Sequence, residues 1–435
     1  MSLVTPRAIA LAIGSVLPLA VVAQPATSPS LEARVQQLDQ EIRILQRKLE
    51  IDKENAVAAA ATAPAIKADG SGLSISTQDF SFQFKGLIQA DSRWFTGDSV
   101  PQTDDTFVLR RLRPTFQGTL GSLVAYRLTP EFAGNGATIV DAWVDLKLAP
   151  TVTLRAGKQK GPIGLERLQS GAAIAFIERG LPTELAPNRE IGVQLQGGVA
   201  NNTLQYVVGV YNGTSDGADA SATDNDGRKE VALRLFYEPT PGIGFGVAGT
   251  HGSKRGFAPR NYSTVDRRGG ISFVTGTLYD GDATRISPQA YFYRGPVGVL
   301  AEYIQSEQAL TNGVTSDTVT HSAYQVVGSY VLTGEAASYR GVKPNQAFQT
   351  GKPGWGAFEL VARYGTLELD SDAADLGFVA ATGVETIDNL GIGLNWYLTG
   401  NVKVAANVNQ TDFSNYSGPD REKETSIFTR LQVSF

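Results

Sequence analysis

The sequence predicts an all-β protein: a transmembrane antiparallel β-barrel of about 16 strands preceded by a short N-terminal coiled-coil helix. Three observations carry that expectation. Beyond about Leu73, apolar and polar residues alternate with a period of two through one segment after another, the pattern of strands whose two faces meet different surroundings. Short turns such as Leu120-Gly121-Ser122, Gly295-Pro296 and Thr399-Gly400-Asn401 alternate with long polar connections such as Asp216 to Arg228, Ser253 to Gly270, Gly334 to Gly354 and Ser414 to Glu424. Short turns at one end and long loops at the other describe a barrel in a membrane. After the first 23 residues no apolar run is long enough for a spanning helix.

Met1 to Ala23 reads as a secretory signal peptide, with Arg7 as a short positive start, an apolar run from Ala8 to Val22, and small residues at its close. The chain has no cysteine, which removes disulfides, thiol chemistry and cysteine-type metal sites. Residues 24–55 form a coiled-coil segment, because Leu31, Val35, Leu38, Ile42, Leu45 and Leu49 recur at alternating steps of four and three. That spacing places one apolar seam on a helix and implies self-association, although a single amphipathic helix packed elsewhere satisfies it too. An Ala-rich stretch over residues 56–78, with Pro64, reads as a linker to a barrel domain spanning residues 79–435.

The first barrel strand is Phe80 to Phe95, with Phe82, Phe84, Ile88 and Trp94 on one face and Gln83, Lys85, Gln89, Asp91 and Arg93 on the other. The same contrast sets Leu112, Phe116 and Leu120 against Arg111, Arg113, Thr115 and Gln117. It also sets Val140, Ala142, Val144, Leu146 and Leu148 against Asp141, Asp145 and Lys147. Val231, Leu233, Leu235 and Tyr237 continue the outward series, as do Ile286, Pro288, Ala290 and Phe292. Arg110 has the parity of the outer face but lies near a strand end, so its direction is open. Aromatic residues at strand ends, among them Trp94, Tyr206, Tyr237, Trp396 and Tyr397, suit the girdles at bilayer interfaces. In the last strand Ile427, Thr429, Leu431, Val433 and Phe435 share one face, opposite Arg430, Gln432 and Ser434. A terminal outward phenylalanine resembles the closing strand by which the barrel assembly machinery recognises outer-membrane clients.

One connection is unlike the rest. Gly157 to Arg189 carries Lys158, Lys160, Arg167, Arg179 and Arg189 together with an apolar patch, Ala172 to Ile177, and loops of that length are functional or disordered. It is expected to fold into the lumen, narrow it and set its charge; a surface loop with solvated cations is the alternative.

Several segments in order then become specific. FKGLIQADSRWF, RRLRPTFQGTLG, GKQKGPIGLERLQS followed by IERGLP, WGAFELVARY and NWYLTGNVKV resemble the phosphate- and polyphosphate-selective porins of Gram-negative outer membranes, from about Phe84 to Phe435. The resemblance implies a trimeric barrel for passive passage of phosphate, pyrophosphate or polyphosphate, with the third loop folded inward as a constriction lined by lysines and arginines. Carried onto this sequence, the constriction falls on Lys158 and Lys160 with Arg167 in support. Arg111 and Arg113 are candidate steps in the anion pathway, joined by Lys85, Arg93, Arg127 and Arg155. Arg167 could instead pair with Glu166 or Glu178 and hold the loop. The formal charge of −5 gives no overall field for anions, so selectivity has to be local. A weakly selective general diffusion porin and a coiled-coil tether between membrane and periplasm are the rival functions. An enzyme is not expected: His251 and His321 have no evident serine and carboxylate partners. Phosphate or other small anions, outer-membrane lipid and further copies of the chain are the expected partners, with no nucleic acid, metal or cofactor.

Overall fold

The computed structural model describes residues 30–96, 105–134, 136–221, 223–224 and 226–435, which fall into two units, residues 1–63 and 64–435. The signal-peptide reading of Met1 to Ala23 lies outside the described residues. In the first unit, Leu31–Thr62 is one helix whose N-cap, Ser30, accepts a hydrogen bond from Ala33 N at 3.3 Å. Leu31, Val35, Leu38, Ile42, Leu45 and Leu49 are all exposed in the single chain. The helix runs on into the stretch read as a linker, because alanine is the strongest helix former. It stops at Ala63, whose extended backbone (φ −65°, ψ 139°) fits the restriction that Pro64 places on the residue before it.

The remainder of that stretch is not a linker either. Ala65–Asp69 and Gly72–Ser76 pair as a hairpin, and its second strand continues onto the strand Phe80–Thr96 with Leu73 opposite Phe84. These two strands leave sixteen of the eighteen in the sheet to form the barrel, each antiparallel to the next. It closes where Phe80–Thr96 meets Glu424–Ser434, with Leu87 opposite Ser434 and Thr96 opposite Thr425. Phe435 completes the closure: its N–H donates to Gly86 O at 3.0 Å, its carbonyl accepts from Gly86 N at 2.9 Å, and its ring lies 5.8 Å from that of Phe84.

The alternation behaves as a membrane barrel requires, apolar side chains outward and polar ones inward. In Glu230–Thr240 the side chains of Glu230, Ala232, Arg234 and Phe236 are buried while Val231, Leu233, Leu235 and Tyr237 are exposed. In the first strand Gln89, Asp91 and Arg93 are buried on the lumen side, and Ile88 and Trp94 face out.

One connection departs from the expected pattern. Residues 332–356 join Ser316–Val331 to Ala357–Glu368 at the same end as the short turns, not at the end of the long loops. Length alone does not say at which end a connection lies. This one turns back into the barrel, burying Ala337 and Val342 against Val331, Ala357 and Tyr397.

Candidate functional site

The connection between Val152–Gln159 and Glu190–Val199 folds into the lumen. Its local structure is a single helical turn, Leu165–Leu168, and a short 3-10 turn, Leu181–Glu184. The helical turn starts at Gly164, whose φ of 81° is open to glycine. Ile163, Leu165, Ile174, Phe176, Ile177, Leu181 and Leu185 are buried, so the apolar patch seen in the sequence is a packing surface. Phe176 packs with Leu300, Val327 and Val361 of the wall, whereas Ile163, Leu181 and Leu185 pack with Tyr262, Val265 and Ile271 of a second loop.

Backbone groups of the loop are satisfied by side chains of strands across the lumen. Lys403 donates to Ile174 O (3.1 Å), Asn395 to Ala175 O (2.8 Å), Arg430 to Ile177 O (2.7 Å) and Arg363 to Glu178 O (2.9 Å). Ile177 N donates to Asn407 Oδ1 at 2.7 Å, and Gln432 and Gln89 reach Ala172 O and Gly171 O. On the other flank Glu302 accepts from Leu165 N at 2.5 Å. Gly180 lies so close to Gln325 that a Cβ would stand 1.8 Å from its amide oxygen. Buried backbone groups need partners, and in the inward position this loop obtains them from the wall.

Cations gather where the loop narrows the lumen. A cavity of about 630 Å³ on the loop side and one of about 520 Å³ on the turn side share Arg113, Lys160, Gly171 and Arg189. The loop-side cavity is lined by Arg93, Arg110, Arg111, Arg167, Arg179, Arg260 and Arg267 as well, against Glu131 and Asp219. Many of these cations are paired: Arg93 and Arg110 with Glu178 (2.6 and 2.5 Å), Arg113 with Glu131 (2.5 Å), Arg189 with Asp141 (2.7 Å), and Arg260 and Arg267 with Glu184 (3.2 and 2.9 Å). Burial works to raise Glu178, yet Arg110 and Arg267 outweigh it and hold its carboxyl well below the usual range.

Four cations differ: among the described residues Arg111, Lys160, Arg167 and Arg179 have no carboxylate partner within ion-pair distance. Lys160 Nζ donates to Leu168 O (3.0 Å) and Gln169 O (2.8 Å); Arg179 donates to Glu166 O (3.0 Å) and Gln169 O (2.8 Å). Arg167 donates to Thr183 O and to Asn188 Oδ1 (2.9 Å), so its possible pairing with Glu166 or Glu178 is not formed. Arg111 donates to Gln89 Oε1 at 2.5 Å. Carbonyl and amide oxygens fix these side chains in place, with no carboxylate among the described residues to offset their charge. Burial, reinforced by Arg179 and Arg189, pulls the Lys160 ammonium well below its ordinary value.

The remaining sequence candidates are dispersed. Lys85, Arg127 and Arg155 line the turn-side cavity; Arg155 pairs with Asp145 (2.6 Å) over the Trp143 ring, and Arg127 donates to Gln117. Lys158 is not brought to the constriction. It shares the face of its cross-strand partners Ala142 and Ile191, while the lumen positions beside it are Arg155, Gly157 and Gln159, and its ammonium reaches Ala220 O at 3.1 Å. Arg110 is the reverse case. A bulge pairs Gln89 with Arg111 and Ala90 with Leu109, so Arg110 is the extra residue and turns inward to Glu178, although Phe107 and Leu109 face out. The sequence reading did not single out Arg363 and Lys403, which lie inward in the WGAFELVARY and NWYLTGNVKV segments.

A closed barrel of sixteen antiparallel strands, apolar outside, polar within and narrowed by an inward loop, defines the outer-membrane porin class. Solved structures of the same fold include the anion-selective porin from Comamonas acidovorans, at 12% identity and a TM-score of 0.55 over 82% of this chain and 100% of that one. The channel DcaP of Acinetobacter baumannii matches at 12% identity and a TM-score of 0.55, over 83% and 99% of the two chains. OmpT of Vibrio cholerae in its trimer form matches at 11% identity and 0.52, over 82% and 100%. An uncharacterized protein of Caulobacter vibrioides is 26% identical over 360 residues, 74% of this chain and 69% of that one. Residues 82–435 match the family model of phosphate-selective porin O and P, and the chain belongs to that family. It is an outer-membrane channel, not an enzyme.

Proposed function

We propose that the barrel passes phosphate and related small anions, pyrophosphate and polyphosphate included, by passive diffusion through an anion-selective constriction. The observation that carries this reading is the set Arg111, Lys160, Arg167 and Arg179, held by neutral oxygens rather than by carboxylates. A permeating phosphate gives up part of its hydration in a narrow passage, and fixed cationic donors replace those contacts. Two features suit the role. Lys160 spends two of its three donors on carbonyls, and the buried Nε of both Arg111 and Arg167 has no protein acceptor. The flanking cations provide further steps on either side, which lets an ion leave as well as enter.

The test is single-channel recording in planar bilayers under a chloride gradient, with phosphate and then pyrophosphate titrated in. Anion preference with current block by phosphate at low concentration is the expected result. A large, weakly selective conductance without block would demote the channel to general diffusion.

We also propose that the channel is a homotrimer whose helices associate along the seam from Leu31 to Leu49. Six exposed apolar side chains in heptad spacing support this, since such a seam is satisfied by other copies of itself. Deleting residues 31–62 is expected to weaken the trimer against heat in detergent; trimers and conductance both unchanged would leave the segment as a tether or spacer.

A further inference from the structure

Beside the ion path, at the turn end, lies a cavity of about 950 Å³ that the anion pathway does not use. It is roofed by the inward loop at Leu165, Leu168 and Ala173 and closed on one side by the returning segment at Tyr339. Its walls are aromatic. The Tyr291 and Tyr339 rings are nearly parallel with centroids 5.1 Å apart, and Phe236 lies 5.3 Å from Tyr291. Arg234 stands at the junction with the main lumen, since it lines both cavities together with Leu168 and Ser170. Its guanidinium stacks over Phe236 at 4.5 Å, its hydrogen bonds are to Gln289 Oε1 at 3.2 and 3.3 Å, and among the described residues no carboxylate lies in ion-pair distance. The acid in the lining, Glu238, accepts from Gly242 N at 2.9 Å at the turn. Arg340 adds a second, exposed cation.

We propose that this annex is a binding site for a small aromatic carboxylate, a benzoate-class monoanion, with the ring on the Tyr291 and Tyr339 faces and the carboxylate on Arg234. A guanidinium with unspent donors takes a carboxylate in a planar, directional contact. Aromatic faces add a preference for a flat ring over an aliphatic one. Inorganic phosphate has no group to place on the aromatic walls, so the annex selects a ligand class that the constriction does not. Tyr339 is held to the site from two sides, its hydroxyl donating to Leu165 O at 2.6 Å and its carbonyl accepting from Gln169 Nε2 at 2.6 Å, so the aromatic wall is preformed.

The inference rests on the barrel conducting anions. Benzoate, cyclohexanecarboxylate and phosphate are compared as blockers in planar bilayers, and benzoate is titrated calorimetrically into the full-length protein in detergent. Benzoate is expected to block at about tenfold lower concentration than cyclohexanecarboxylate. Arg234→Gln is expected to abolish the benzoate response, and Tyr291→Leu to remove the preference for the aromatic ring while leaving phosphate block in place. Equal block by the two carboxylates, or benzoate block unaltered by Arg234→Gln, overturns the proposal while a normal phosphate response leaves the channel reading standing. Benzoate block without any phosphate response would overturn the phosphate reading alone. No heat of benzoate binding overturns the annex whatever the conductance shows.

Discussion

Lys160→Gln is expected to lower anion permeability by about thirtyfold, and the anion-to-cation ratio by more. A unit charge at about 8 Å from a permeating ion is worth on the order of 2 kcal/mol in a partly solvated interior, and each 1.4 kcal/mol is about a factor of ten. The substitution is chosen because glutamine keeps a donor for Leu168 O and Gln169 O, the two carbonyls that Lys160 holds, and so removes charge with little disturbance of the loop. Reversal potentials in a salt gradient read the effect, and unchanged values in a folded variant would take Lys160 out of the pathway. The same residue is expected to make selectivity depend on pH. Its ammonium is depressed by burial and by Arg179 and Arg189, so the charge is present below that lowered value and is lost as pH rises through it. Anion preference is therefore expected to fall as pH is raised, earlier than an ordinary lysine would allow. Lys160→Arg should remove that dependence.

Glu178→Ala carries the second large effect, on the loop itself. The Glu178 carboxylate is within reach of Arg93 at 2.6 Å, Arg110 at 2.5 Å, Arg267 at 3.4 Å and Arg430 at 3.9 Å. Removing one member of a buried ionic cluster leaves the others uncompensated, at about 3–5 kcal/mol. The inward loop and the loop carrying Arg267 are both expected to loosen. Single-channel records should become noisy and larger in amplitude while the barrel stays folded, with Glu178→Gln intermediate because it keeps hydrogen bonds without the charge. A quiet channel of unchanged size in Glu178→Ala would show that the apolar packing of Phe176 and Leu181 is enough to hold the loop.

The barrel was legible because its signal is repeated: strands such as Glu230–Thr240 state inward and outward residues with a strict period of two, and one misjudged position does not alter the sum. The constriction was legible as a stretch, since a long basic and apolar loop has few other uses. Individual side chains were not. Parity failed at Arg110, where a single bulged residue reverses the facing of everything beyond it, and bulges leave no reliable mark in one sequence. Lys158 belongs to the same motif as Lys160, yet it lies two positions before the loop leaves the wall, so the strand and not the loop decides where it points. The pairing state was also hidden: whether Arg167 met a carboxylate or a carbonyl depended on Thr183 and Asn188, residues sixteen and twenty-one positions away. Residues 332–356 were read as a polar loop at the far end because composition does not carry direction, whereas counting strands from either terminus does.

The loop's anchors have a consequence for the order in which the molecule is made. Ile177 is bonded to Asn407 across 230 positions and Ala172 to Gln432 across 260. Those partners sit on the final two strands, so the inward loop's anchoring is not complete until nearly all of the barrel has been synthesised and the last hairpin is in place. Contacts between such distant positions form late. A molecule arrested one hairpin short of completion would lack its closed wall and part of the loop's anchoring at once, since the strand that seals the wall also holds Ala172 and Ile177.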